Sequence, residues 1–135
     1  MPEGYSGTPL AKKLGLKAGQ NVWWSGLPDS VRAEIDPGAI GVREQTAPAP
    51  GLEVAHIFET RRADLAAGLA RLRDLIAPAG MIWVSWPKKA AKTDTDITEN
   101  VIREICLPMG LVDVKVCAVD EKWSGLKLMV RKALR

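Results

Sequence analysis

Between residues 61 and 76, Leu65, Leu69, Leu72 and Ile76 recur at helical spacing, while Arg62, Arg71, Arg73 and Asp74 fall off that stripe. The pattern predicts an amphipathic helix with one face turned to a core. Two other stretches follow no such spacing. Leu52–Phe58 is apolar except at Glu53 and His56, and residues 81–86 read as one apolar run that Pro87 cuts off. Both predict buried strands sheltered on two faces, as in a parallel sheet. Residues 111–119 alternate instead, with Val112, Val114, Val116 and Ala118 on one face and Asp113 and Lys115 on the other. That is the signature of a half-buried strand. Residues 126–134 predict a final strand with a Leu/Val face, placed at the sheet edge and guarded there by Lys127, Arg131 and Lys132.

Punctuation supplies the remaining elements. Leu10 and Leu14 give a short helix over residues 9–14 its apolar side, with Thr8 as cap, Pro9 at the first helical position and Gly15 at the exit. Asn21–Ser25 predicts a strand that Gly26 and Pro28 end, and Asp29 or Ser30 is placed to cap a brief helix through residues 31–35. Asp36-Pro37-Gly38 is a turn, residues 40–44 a second strand and residues 46–51 a loop. After a polar stretch, Asp96 and Glu99 approximate a capping box. The helix they open buries Ile97, Val101, Ile105 and Met109, and Pro108 and Gly110 close it. Strands alternating with helices need crossover connections, so the sheet is mostly parallel and covered on both sides. The short loop between the last two strands makes them an antiparallel hairpin. The expected fold class is therefore α/β: three layers around a mostly parallel sheet of about six strands, in one domain over residues 1–135.

Three stretches resemble the class I, Rossmann-like methyltransferase scaffold. Leu14-Gly15-Leu16-Lys17-Ala18-Gly19-Gln20-Asn21-Val22 is similar to the entry into its first strand. Ala77-Pro78-Ala79-Gly80 before an apolar strand is similar to its helix-to-strand step, and residues 107–119 with the hairpin that follows resemble its carboxyl-terminal end. The resemblance implies a Rossmann-like fold, here short of one strand–helix unit of the seven-stranded core. It also implies S-adenosylmethionine over a glycine-rich turn after the first strand. This chain departs there: Ser25-Gly26-Leu27-Pro28 has one glycine, a bulky leucine and a proline that donates no N–H. Glu44, about twenty residues on, stands where an acid would take a ribose. The start GYSGTPLAKKLGL, the middle WPKK and ITENVIRE, and the end VDVKVCAVDEKWSGLKL also resemble a bacterial family of small domains with no assigned activity. That likeness implies the same fold and brings no catalytic residues.

Composition narrows the classes of function. With 47% hydrophobic and 26% charged residues, the chain is neither a disordered tail, a collagen-like fibre nor a disulfide-stapled mini-protein. No apolar run approaches the ~20 residues of a membrane span, and the start Met1-Pro2-Glu3 lacks the features of a signal peptide. Cys106 and Cys117 form no CxxC motif, which points to a reducing compartment, the cytoplasm. Residues 1–86 are balanced at nine basic and nine acidic side chains, so the net charge of +3 sits in the last third, in Lys88, Lys89, Lys92, Arg131, Lys132 and Arg135. A dedicated nucleic-acid binder carries a broader basic stripe.

In open α/β sheets, ligands sit outside the carboxyl ends of the strands. That edge should collect Ser25 and Gly26; Glu59, Thr60 and Arg61; Trp86, Lys88 and Lys89; and Glu121 and Trp123. An anion would lie on Lys88, Lys89 or Arg61, and a flat group on Trp86 or Trp123. No catalytic set is expected. His56, the sole histidine, falls mid-strand and reads as a packed core residue, the two cysteines as core thiols, and no metal-ligand spacing occurs. Asp94, Asp96, Glu99 and Glu104 read as the acid-rich start of a helix. Trp23 and Trp24, being neighbours in a strand, must face opposite sides. The leading expectation is a non-catalytic domain that needs no cofactor and binds a small anionic or nucleotide-like ligand, or a protein partner. The alternatives are an S-adenosylmethionine-dependent methyltransferase with an atypical loop, and RNA binding through Lys88-Lys89 with salt-dependent affinity.

Overall fold

A computed structural model describes residues 8–135; the opening segment, in which no leader was expected, lies outside it. The apolar runs form the centre of a six-stranded sheet. Its strands are β1 (Asn21–Ser25), β2 (Arg43–Glu44), β3 (Leu52–Phe58), β4 (Ile76–Pro87), β5 (Leu111–Ala118) and β6 (Trp123–Val130), in the order β2-β1-β3-β4-β6-β5. The first four strands pair in parallel, and β6 runs antiparallel to both β4 and β5. This is the Rossmann-like α/β architecture expected, with its carboxyl-terminal hairpin. One face carries α1 (Leu10–Lys13), α2 (Asp29–Ile35) and the single turn α3 (Pro37–Ile40); the other carries α4 (Arg62–Leu75) and α5 (Glu99–Cys106).

Each face has its own core. Leu65, Leu69 and Leu72 of α4 join Ala55, Ile57, Ile82, Val84, Leu126 and Leu128 of the sheet, together with Ile102 and Cys106 of α5. Burying each such leucine stabilises the fold by about 1.5–3 kcal/mol. On the opposite face, Leu10, Leu14, Val31 and Ile35 cover Val22, Val54, Phe58 and Trp83. The Trp83 indole donates to the Leu14 carbonyl at 2.9 Å, which ties the end of α1 to the middle of the sheet.

Several elements differ from the sequence reading. The second strand shrinks to Arg43–Glu44 because Asp36 takes a left-handed φ of 53° and Pro37 then starts a helical turn. Neither Thr8, Asp29 nor Ser30 caps a helix; Pro9 and Pro28 occupy those positions without a side-chain bond. β4 begins at Ile76 rather than at residue 81, with a register break against β3 between Leu52 and Val54. Gly80 permits that break, since a Cβ there would stand 3.0 Å from the Glu53 carbonyl oxygen. Thr98, not Asp96, caps α5, its hydroxyl accepting from the Val101 N–H at 3.2 Å. Ile97 therefore precedes the helix and shares no phase with it, and the buried helical face is Ile102 and Cys106, with Val101 and Ile105 half-buried. β5, rather than β6, is the edge. It bulges between Asp113 and Lys115, which leaves Val114 and Val116 exposed while Leu111 and Cys117 point inward. β6 begins at Trp123, three residues earlier than expected.

Candidate functional site

The parallel register places the predicted segments side by side at one edge. Ser25 pairs with Ile57, Phe58 with Ser85, and Pro87 with Trp123, so the ends of β1, β3 and β4 and the start of β6 lie in a row. Backbone bonds continue the row: the Glu59 N–H donates to the Ser85 carbonyl at 3.0 Å and the Lys88 N–H to the Lys122 carbonyl at 2.7 Å. Gly26 turns away from β1 at a φ of 69°, and a Cβ there would meet the Phe58 carbonyl oxygen at 3.0 Å, so the turn needs glycine for its closeness as much as for its dihedral.

The side chains divide more sharply than the backbone. Trp86 and Trp123 are both nine-tenths buried and lie on opposite faces, Trp86 in the core under α4 and α5 and Trp123 in the core under α1 and α2. They form no common stacking surface. Trp123 instead ends an aromatic row: His56 stacks on Phe58 with centroids 4.3 Å apart, and Phe58 meets Trp123 edge-on at 5.2 Å. The Lys122 ammonium lies 5.3 Å from the Trp123 ring centre.

Arg61 and the loop before α5 are joined by several contacts. The Arg61 guanidinium bonds Asp94 at 2.7 Å, holding that carboxyl below its ordinary range. Asp96 accepts the Arg62 N–H at 2.6 Å and so serves the start of α4; the Thr95 hydroxyl donates to the Thr60 carbonyl at 2.7 Å. Together these contacts pin residues 94–96 over the β3–α4 turn. Glu59 is half-buried beside them, its pKa raised by burial and then by Asp64. In the hairpin loop, Asp120 accepts the Lys122 and Trp123 N–H groups at 2.9 and 2.7 Å, and Glu121 is exposed. Lys88, Lys89 and Lys122 enter no ion pair among the described residues. They form the cationic part of the edge.

Two features were missed in the sequence. Glu44 does lie at the end of β2, beside β1, but its carboxylate accepts the Trp24 indole N–H at 2.7 Å and pairs with Arg32 of α2 at 2.8 Å. The group that would take a ribose is thus tied to the protein itself. His56, buried as expected, has a partner in Ser85, with Nε2 and Oγ 2.7 Å apart; its Nδ1 has none among the described residues. Burial lowers the His56 pKa to about 3. Both side chains are buried in the sheet. Burial also raises the thiols of Cys106, to about 11, and Cys117. No described helix is long and apolar enough to cross a membrane.

Solved structures share the fold. An S-adenosylmethionine-dependent methyltransferase from Aquifex aeolicus superposes with a TM-score of 0.61 over 95% of this chain and 91% of its own, at 14% identity. A precorrin-6y C5,15-methyltransferase from Geobacter metallireducens reaches 0.58 over 90% and 84%, at 13% identity. Fibrillarin from Aeropyrum pernix, with natively bound S-adenosyl-L-methionine, reaches 0.55 over 89% and 73%, at 10% identity. The chain thus shares the Rossmann-like α/β fold of these methyltransferases. At these identities the likeness is one of fold. No family model matches the sequence, and neither does any curated protein.

Proposed function

We propose that this chain is a non-catalytic ligand-binding domain on a methyltransferase scaffold, taking a small anionic or nucleotide-like molecule at the carboxyl edge of the sheet. The observation that carries this reading is the Glu44–Arg32–Trp24 cluster, which engages the acid at the end of β2. The turn Leu27-Pro28 after β1 adds to it by removing an N–H where a cofactor would need backbone donors. Lys88, Lys89 and Lys122 supply uncompensated positive charge for an anion, and Ser25 and Gly26 supply a small, close-packed floor. Arg61, already neutralised by Asp94, and the two buried tryptophans have a smaller part than the sequence suggested.

Thermal-shift titration tests this with a nucleotide panel beside S-adenosylmethionine and its demethylated product. A ligand at a hundred times its dissociation constant adds about 2.7 kcal/mol, a shift of several degrees in a domain of this size. A nucleotide-dependent shift that Lys88→Gln and Lys89→Gln abolish is the expected result. Stabilisation by the adenosyl compounds alone would overturn it in favour of a methyltransferase. That second reading draws support from the position of Glu44 at the end of β2 and from the neighbours' cofactor, and it requires Arg32 to release Glu44.

A further inference from the structure

A cavity of about 520 Å³ opens between α1 and the second half of β5, away from the turn that follows β1. Thr8, Lys12, Lys13 and Lys115 form its polar wall, and Val116, Cys117 and Ala118 its apolar one. Two bonds between residues about a hundred positions apart in sequence build it. The Lys13 ammonium donates to the Ala118 carbonyl at 3.3 Å, and the Lys115 ammonium to the Lys13 carbonyl at 3.4 Å. These bonds fasten α1 to the edge strand and hold two ammonium groups at the cavity wall. Among the described residues no carboxylate lines the space and none of the three lysines enters an ion pair. The charges of Lys13 and Lys115 also reach the Cys117 thiol, where they pull against the upward push of burial.

Three ammonium groups around one concavity repel each other until an anion joins them, and the volume falls within the range of small-molecule sites. We propose that this cavity binds a small organic phosphate, its head held by Lys12, Lys13 and Lys115 and its apolar body laid against Val116, Cys117 and Ala118. An added peptide strand fits the place less well. The bulge at Val114 breaks the outer ladder of β5, and Lys115 on the edge opposes strand pairing. The site is separate from Lys88 and Lys89 and stands whether or not the carboxyl edge binds a ligand.

Inorganic pyrophosphate titrated calorimetrically into the full chain at low ionic strength is the direct test. Lys13→Gln and Lys115→Gln remove the charge and leave a neutral, shorter donor, and each is expected to weaken binding by about tenfold. The Lys12 side chain makes no hydrogen bond among the described residues, so Lys12→Gln provides a variant that leaves the α1–β5 fastening intact. Lys132→Gln, which removes one charge beyond the opposite end of β5, should leave the affinity unchanged, and amide shifts should cluster in α1 and residues 115–118. Absence of binding, indifference to the three cavity lysines, or an equal loss in Lys132→Gln would each overturn the proposal; the last would mean attraction to net charge alone.

Discussion

His56 makes stability depend on pH above the ordinary carboxylate range, between pH 7.5 and 5. Its pKa falls from 6.5 to about 3 on folding because the buried ring cannot be charged without losing its hydration. The unfolded chain therefore binds a proton between these values that the folded chain refuses, and stability drops as pH falls below 6.5. Each pH unit in that window costs about 1.4 kcal/mol, so going from pH 7.5 to pH 5 should remove about 2 kcal/mol. In urea unfolding, that loss moves the midpoint down by about 1 M for a domain of this size. Glu59 acts in the opposite direction, since a raised folded pKa favours the folded state at low pH, and it only blunts the slope. His56→Phe removes the sole histidine and should flatten the profile between pH 7.5 and 5. A wild-type profile already flat there, or a ring titrating near 6.5 by NMR, would refute the reasoning.

Other outcomes follow from single contacts. Gly26→Ala places a Cβ 3.0 Å from the Phe58 carbonyl oxygen at a φ of 69° and should cost about 1–2 kcal/mol or more in denaturant unfolding. Trp83→Phe deletes the bond to the Leu14 carbonyl and leaves a void in the core, for a loss of about 2–4 kcal/mol. It should also speed amide exchange in α1. Thr98→Ala should cost about 1 kcal/mol by removing the α5 cap, whereas Asp96→Ala should instead loosen the first turn of α4, separable by hydrogen exchange of the two helices.

The parts of this fold that could be read from sequence are those where burial is two-sided. β3 and β4 announce themselves because both of their faces must be apolar, and α4 because its leucine stripe meets a sheet. The alternation in β5 identified a strand but not which of its faces is covered. Lying at the edge and bulged at Val114, it shows valines to solvent and turns Cys117 inward. Likewise the apolar spacing from Ile97 to Met109 ran through a helix start that only the Thr98 cap locates.

The candidate site was legible as backbone and not as side chains. Strand order alone brings Ser25, Glu59, Lys88 and Trp123 to one edge, but the side to which Trp86 and Trp123 turn depends on register, and so does the pairing of His56 with Ser85. Arg32 carries no local signal that it will reach Glu44; that contact needs α2 folded against the β1–β2 pair.

The reversal of strand direction at β4 bears on how the chain is made. A polypeptide emerging amino end first from the ribosome can pair β4 with β3 as soon as residue 87 has appeared, but its other side waits for residues 123–130. Throughout that interval the apolar run 82–86 offers an open edge to any passing strand. Slow translation across residues 88–122 would lengthen this exposure, and a nascent-chain chaperone that shields strand edges would shorten it.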